Sequence, residues 1–144
     1  MSDRSFFTNS ESVVAAFGCW PTFCEAEVIS FSVERALPYR NGSSLARMAI
    51  HVREYKTVGE GSVDFAHVLT KSILVRFAFD GISEVEFSEF NHQNVIQDLL
   101  VSQDKEVKDG RLLVEVESIW GFGGGFRCSA ARVESVESLL VAQS

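Results

Sequence analysis

"KSILVRFAFDGI", residues Lys71–Ile82, sets Ile73, Val75, Phe77 and Phe79 at every second position with Arg76 between them. A period of two marks a strand with one buried and one wetted face, because successive side chains leave a pleated backbone on opposite sides. The Asp80-Gly81 pair at its end predicts a hairpin. The same rhythm extends in both directions. Upstream, "LARMAIHVREY" turns Met48, Ile50 and Val52 inward and Arg47, His51 and Arg53 outward. Before it, from Glu27 onward, Ile29, Phe31 and Val33 alternate with Ser30, Ser32 and Glu34. A break at "PYRNGSS" separates these two strands, and the glycines of "TVGEGSVD" predict the next turn. Downstream, "SEVEFSEF" places Val85 and Phe87 inside and Glu84 and Glu86 outside, while Phe90 breaks the parity, so a bulge or the strand's end is expected there.

The C-terminal third continues the pattern with one exception. In "NHQNVIQDLLVS", Val95, Ile96, Leu99 and Leu100 fall at helical spacing, which predicts one helical turn followed by a strand. Asp109-Gly110 predicts a hairpin, Leu112, Val114 and Val116 alternate after it, and Phe126, Cys128 and Ala130 share a face beyond "GFGGG". "ARVESVESLLVAQS" closes the chain as a last strand or frayed tail.

At the N-terminus, Thr8-Asn9-Ser10-Glu11 has the form of a capping box, followed by Val13, Val14 and Phe17 on one helical face. In "FGCWPTFCEAEV", Gly18 can take the left-handed C-terminal position and Pro21 forbids continuation, so the helix stops there. Trp20 and Phe23 are then expected to anchor it on the sheet, and Ala26 and Val28 to lead into the first strand. The expected fold is α+β and β-dominated: a single mainly antiparallel sheet, curved or two-layered, with a short N-terminal helix, in one domain spanning residues 1–144.

Composition narrows the function. The 144 residues are 46% hydrophobic and 23% charged, a globular balance without the cysteine density of a disulfide scaffold. The net charge of -7 disfavours nucleic acid and anionic membrane, whose binding rests on Lys and Arg, and favours a basic partner. "MSDRSFFTNSESVV" has no basic start followed by an apolar run, and no segment approaches the ~20 apolar residues of a membrane span, so a cytoplasmic location is expected. The odd set Cys19, Cys24 and Cys128 is expected to be free thiols.

No catalytic or cofactor set emerges. The three cysteines with His51, His67 or His92 lack the second ligand pair of a zinc site. "GFGGGF" lacks the lysine and hydroxyl of a phosphate loop and is expected to be a turn that lets backbones approach. Cys24 has no histidine near it in sequence. Glu25 and Glu27 are spaced for acid–base work, yet the same spacing recurs at Glu84/Glu86 and Glu115/Glu117, as on any solvent face. If Glu84, Glu86 and Glu89 share a face with Asp80, that face is an acidic patch for a basic protein.

Three blocks carry a family resemblance: W-P-T-F-C-E-A-E-V at Trp20–Val28, F-N-H-Q-N-V-I at Phe90–Ile96, and G-F-R-C at Gly125–Cys128. In order and spacing they resemble the immunity protein 50 family of bacterial polymorphic toxin systems. The family-motif positions are Trp20, Pro21, Phe23, Cys24, Glu25, Glu27, Phe90, Asn91, Gln93 and Asn94. Members usually look like W-P-S-F-H-D-A-E-V at the first block, so Cys24 stands for a histidine and Glu25 for an aspartate. The resemblance implies a small cytoplasmic protein that binds and neutralises a cognate protein toxin by stoichiometric occlusion, with no enzyme activity, cofactor or metal. Two other readings stay open: a small-molecule-binding domain or enzyme using a pocket near Cys24 and Glu25, and a structural homodimer formed through an exposed sheet edge.

Overall fold

Strand follows strand along the chain because the alternating segments each carry one apolar face that needs cover. The computed structural model describes residues 3–35, 44–59, 61, 63, 66–103 and 110–140. A 3-10 turn at Asp3–Phe6 leads into β1 (Phe7–Thr8), then α1 (Ser10–Phe17) and β2 (Glu27–Arg35). Next come two long strands, β3 (Ser44–Val58) and β4 (Ala66–Asp80), and the short β5 (Ser83–Ser88). β6 (Val95–Gln103), β7 (Leu112–Trp120), β8 (Gly123–Cys128) and β9 (Ala130–Ser138) complete it. All nine join one open mixed sheet in the order β1-β9-β4-β3-β2-β6-β7-β8-β5. Among the described residues β1–β9 is the one parallel pairing and the others are antiparallel. This is the β-dominated α+β architecture expected, with a single short α-helix among the described residues.

The order demands curvature. β4 and β5 stand six places apart in the sheet, which in a flat sheet would be about 29 Å at the usual strand spacing. Gly81 and Ile82 alone join them, and a link that short spans only about 11 Å. The sheet therefore curls until the start of its last strand comes back to the end of β4. The narrowest point of the curl is β2–β6, registered only at Glu27↔Val95. Hydrogen bonds from Glu25 N to Ile96 O, Val28 N to Asn94 O and Ile96 N to Ala26 O reinforce it. Two arms result, β1-β9-β4-β3-β2 and β6-β7-β8-β5, facing one another across a common core. Phe79 of β4 meets Phe126 of β8 at 4.9 Å, and Phe31 of β2 meets Phe87 of β5 at 4.5 Å.

Most of the expected inward residues are buried: Met48, Ile50, Val52, Ile73, Val75, Phe77, Phe79, Leu112, Val114, Val116, Phe126 and Cys128. The exceptions have local causes. Asp80-Gly81 makes no hairpin, because Gly81 N donates to Ser44 O and the Ser44 hydroxyl engages both Ile82 N and Ile82 O, steering the chain across to β8. A bulge between Val28 and Ser30 shifts the face of β2, so Val28 and not Ile29 is buried, Phe31 packs inward, and Val33 is exposed. No helical turn forms at Val95, where β6 begins directly. Two bulges near Ile96 put inward residues Ile96 and Leu99 three apart, which imitates a helical period. Val85 is exposed beside a bulge between Ser83 and Glu86, and β5 ends at Ser88, before Phe90. A bend at Ser129 makes Ala131 the buried residue in place of Ala130.

At the N-terminus no capping box forms. Thr8 lies in β1 and Asn9 caps α1 without a side-chain bond, its amide donating instead to Val133 O at 3.1 Å. Gly18 takes the left-handed C-cap with its N–H on Val14 O, as its position predicts. The break expected at "PYRNGSS" lies outside the described residues apart from Ser44, as does Asp109 of the Asp109-Gly110 pair. "TVGEGSVD" begins inside β3 at Thr57 and Val58, with its described glycines Gly59 and Gly61 at positive φ. Among the described residues no helix is long and apolar enough to cross a membrane.

Candidate functional site

Of the family-motif residues, Trp20, Phe23, Asn91 and Asn94 make packing or hydrogen-bond contacts that hold this part of the fold together. Trp20 packs on Phe7 and Phe23, and Phe23 reaches Phe77, with ring centroids 5.3, 5.6 and 5.9 Å apart. Asn94 is buried and fully engaged. Its Nδ2 donates to Asn91 O and Val28 O, while its Oδ1 accepts from Asn91 N and Phe122 N. One side chain thus ties the 89–94 loop, β2 and the β7–β8 turn together, and a buried amide so satisfied costs little where an unsatisfied one would cost about 1–3 kcal/mol. Asn91 Oδ1 accepts from Gln93 N, which shapes the same loop. Gly121 belongs to this knot, since a Cβ there would lie 2.6 Å from Gln93 O.

Cys24 and Glu25 lie on the surface beside that neck. Phe23 and Glu25 hold positive φ of 61° and 67°, an unusual backbone that keeps Phe23 in and Cys24 out. The described partners of Cys24 are Thr22 Oγ1 on its amide and Gln97 Nε2 at 3.9 Å from its sulfur. In the ladder His51 stands opposite Glu27, and its Nε2 contacts Ser72 Oγ at 2.8 Å. Burial, then Arg53, lowers the His51 pKa below 6.5 against a raising pull from Glu27. The neutral ring is the form the fold favours, so any stability it adds holds above that value and declines as pH falls through the lowered one. Cys128 is a core thiol whose burial pushes its pKa up to about 11, which leaves it protonated and inert. Among the described residues no group of three or more His, Cys, Asp or Glu is placed to hold a metal.

The other feature is a groove on the outer face of β7, β8 and β5, about 840 Å³ in volume. Its shape follows from register. Glu115 of β7 pairs with Gly125 of β8, which pairs with Glu86 of β5, so two outward carboxylates flank a position with no side chain. One step along, Gly123 lies between Ser118 of β7 and Ser88 of β5, close to Glu117. Gly123, Gly124 and Gly125 are therefore strand residues and not a turn; the turn is at Gly121. Gly124 is obligatory for the edge: its φ is 145° and a Cβ would fall 2.0 Å from Glu86 O.

The four carboxylates singled out from sequence have different surroundings. Asp80 pairs with Arg132 at 3.3 Å on the β4–β9 side, and Glu84 pairs with Arg127, which closes one end of the groove. Glu86 lines the groove, and Glu89 lines a cleft of about 420 Å³ at the opposite end with Phe90, Asn91, Trp120 and Gly121. Glu86, Glu115 and Glu117 make no ion pair among the described residues. Sequence reasoning passed over Glu115 and Glu117 as ordinary solvent-face residues, and gave no role to Trp120, because only cross-strand register sets them around a glycine floor. Phe90 and Trp120 are 52% and 59% exposed, unusual for large aromatics.

A family model described as Immunity protein 50 matches residues 9–139. No curated protein and no solved structure matches the chain.

Proposed function

We propose, from the premise that the chain belongs to the immunity protein 50 family, that it binds a cognate bacterial toxin and neutralises it by one-to-one occlusion. The function is binding, not catalysis, and it is exerted in the cytoplasm. The contact is the acidic face along β5, and the partner's complementary surface is basic. The observation that carries this assignment is that Glu86, Glu115 and Glu117 on the outer face of β5 and β7 make no ion pair among the described residues, beside exposed aromatic side chains of the kind that anchor interfaces.

Uncompensated charge on one face speeds capture of an oppositely charged protein, and exposed aromatics slow its release. The double reversal Glu84→Lys with Glu86→Lys is therefore expected to lower the association rate for the toxin encoded by a neighbouring reading frame by roughly tenfold at low salt. Dissociation should change far less. Stopped-flow binding at two ionic strengths measures both rates, and unchanged association would remove this face from the function.

A further inference from the structure

We propose that the glycine-floored groove is a channel for an extended basic segment of the protein partner. In it, basic side chains at alternate positions lie over Gly123 and Gly125, and an apolar side chain beyond them enters the Phe90–Trp120 cleft. This deepens the toxin-binding reading and rests on it for the partner's identity. Three observations converge. The middle strand of the face carries no outward side chain at Gly123 or Gly125, which opens a furrow between two strands that do. Glu86 on one bank and Glu115 and Glu117 on the other have no ion pair among the described residues, so a cation entering the furrow meets carboxylates it need not take from another partner. The furrow is lined by the Arg127–Glu84 pair at one end and by Ser88 at the other, where the chain continues through Glu89 into the cleft that holds the exposed rings of Phe90 and Trp120, so its charged length leads to two aromatic side chains.

The spacing selects the occupant. Glu115 and Glu117 are two residues apart on one strand, a repeat of about 6.6–6.8 Å, and only an extended chain places its own alternate side chains at that interval. A helix would present neighbours about 5–6 Å apart in a staggered array. Phosphate polymers are excluded by the charge. A second copy of this face is disfavoured as well, because it would set Glu86, Glu115 and Glu117 against their own kind.

The test uses the full chain and two probes, acetyl-Lys-Thr-Lys-Thr-Leu-amide and its counterpart with Glu for Lys, followed by backbone-amide and indole NMR. The lysine peptide is expected to give saturable shifts at Gly123–Gly125, at the β5 amides and at the Trp120 indole, and the glutamate peptide none. The surface triple variant Glu86→Gln, Glu115→Gln, Glu117→Gln should bind the lysine peptide at least tenfold more weakly. Trp120→Ala should erase the advantage of the terminal leucine over a terminal threonine. No saturable binding at millimolar peptide, equal response to both peptides, or undiminished binding by the triple variant would overturn the channel. So would concentration-dependent dimerisation that the triple variant abolishes, since the occupant would then be a second copy. Failure of the function reading has a different signature: wild-type protein would not inhibit the neighbouring toxin at all. Full inhibition by wild type and triple variant alike would leave that function standing and overturn the channel alone.

Discussion

The two arms of the curled sheet obey the same alternating pattern and share one core, yet their outer faces differ. On the β2-β3-β4-β9 side, Arg47 sits between Glu34 and Glu134, each at 3.1 Å, Arg76 meets Glu137 at 3.6 Å, and Arg132 meets Asp80. Charge there is spent within the face. On the β7-β8-β5 side, Glu86, Glu115 and Glu117 are left over around a glycine floor. The comparison shows that a net charge of -7 is a poor description of this surface: one arm is close to self-neutral, and much of the field that could steer a partner belongs to the other.

The most severe way to break the comparison is to remove the core that couples the arms. Phe126 on β8 touches Phe79 of β4 and Phe31 of β2, so Phe126→Ala is expected to cost about 3–5 kcal/mol. Urea unfolding followed by tryptophan emission and by circular dichroism should still give one coincident transition. Two separated transitions would mean that the arms fold as independent units.

A smaller and more local effect is expected from Gly124→Ala. The strained φ and the clash with Glu86 O should release β5 at a cost of about 1–3 kcal/mol. Amide exchange is the measurement. Ser83–Ser88 should exchange faster while β3 and β4 keep their protection, and uniform acceleration across the sheet would contradict the view of β5 as a separately held edge.

The smallest effects sharpen the contrast in charge. Arg47→Ala, which removes two half-exposed ion pairs, should destabilise by only about 0.2–1 kcal/mol because solvent screens them. Glu115→Gln should stay within about 0.5 kcal/mol of neutral, since it breaks no pair. Thermal denaturation of both variants at low and high salt checks this. A large loss from Glu115→Gln would reveal a structural partner for that carboxylate.

How legible was this in the sequence? The strands at Met48–Val52, Ile73–Phe79 and Leu112–Val116 were plain, because period two over several residues has one economical explanation. The bulged strands were not. At Ile96 and Leu99 an extra residue on β6 moved the inward side chains three apart, and the pattern then matched a helix. The neck residues Asn91 and Asn94 were visible as part of a family block, but their role as the knot between loop, β2 and the β7–β8 turn needs the contacts themselves.

By itself the sequence determined the extended segments whose alternation is unbroken, most of the side chains buried in them, where α1 stops at Gly18, and which family the chain resembles. These are local properties, set by the pleat, by φ at single residues and by motif identity. Only the tertiary structure decided that β5 leaves its neighbour in sequence to pair with β8, and that Glu86, Gly125 and Glu115 therefore stand in one row. The physical reason is the size of the terms. A two-residue turn signal such as Asp80-Gly81 is a weak local preference, whereas packing the partly buried Phe87 against Phe31 and Phe122 gains a share of the about 1.5–3 kcal/mol that full burial of such a side chain is worth.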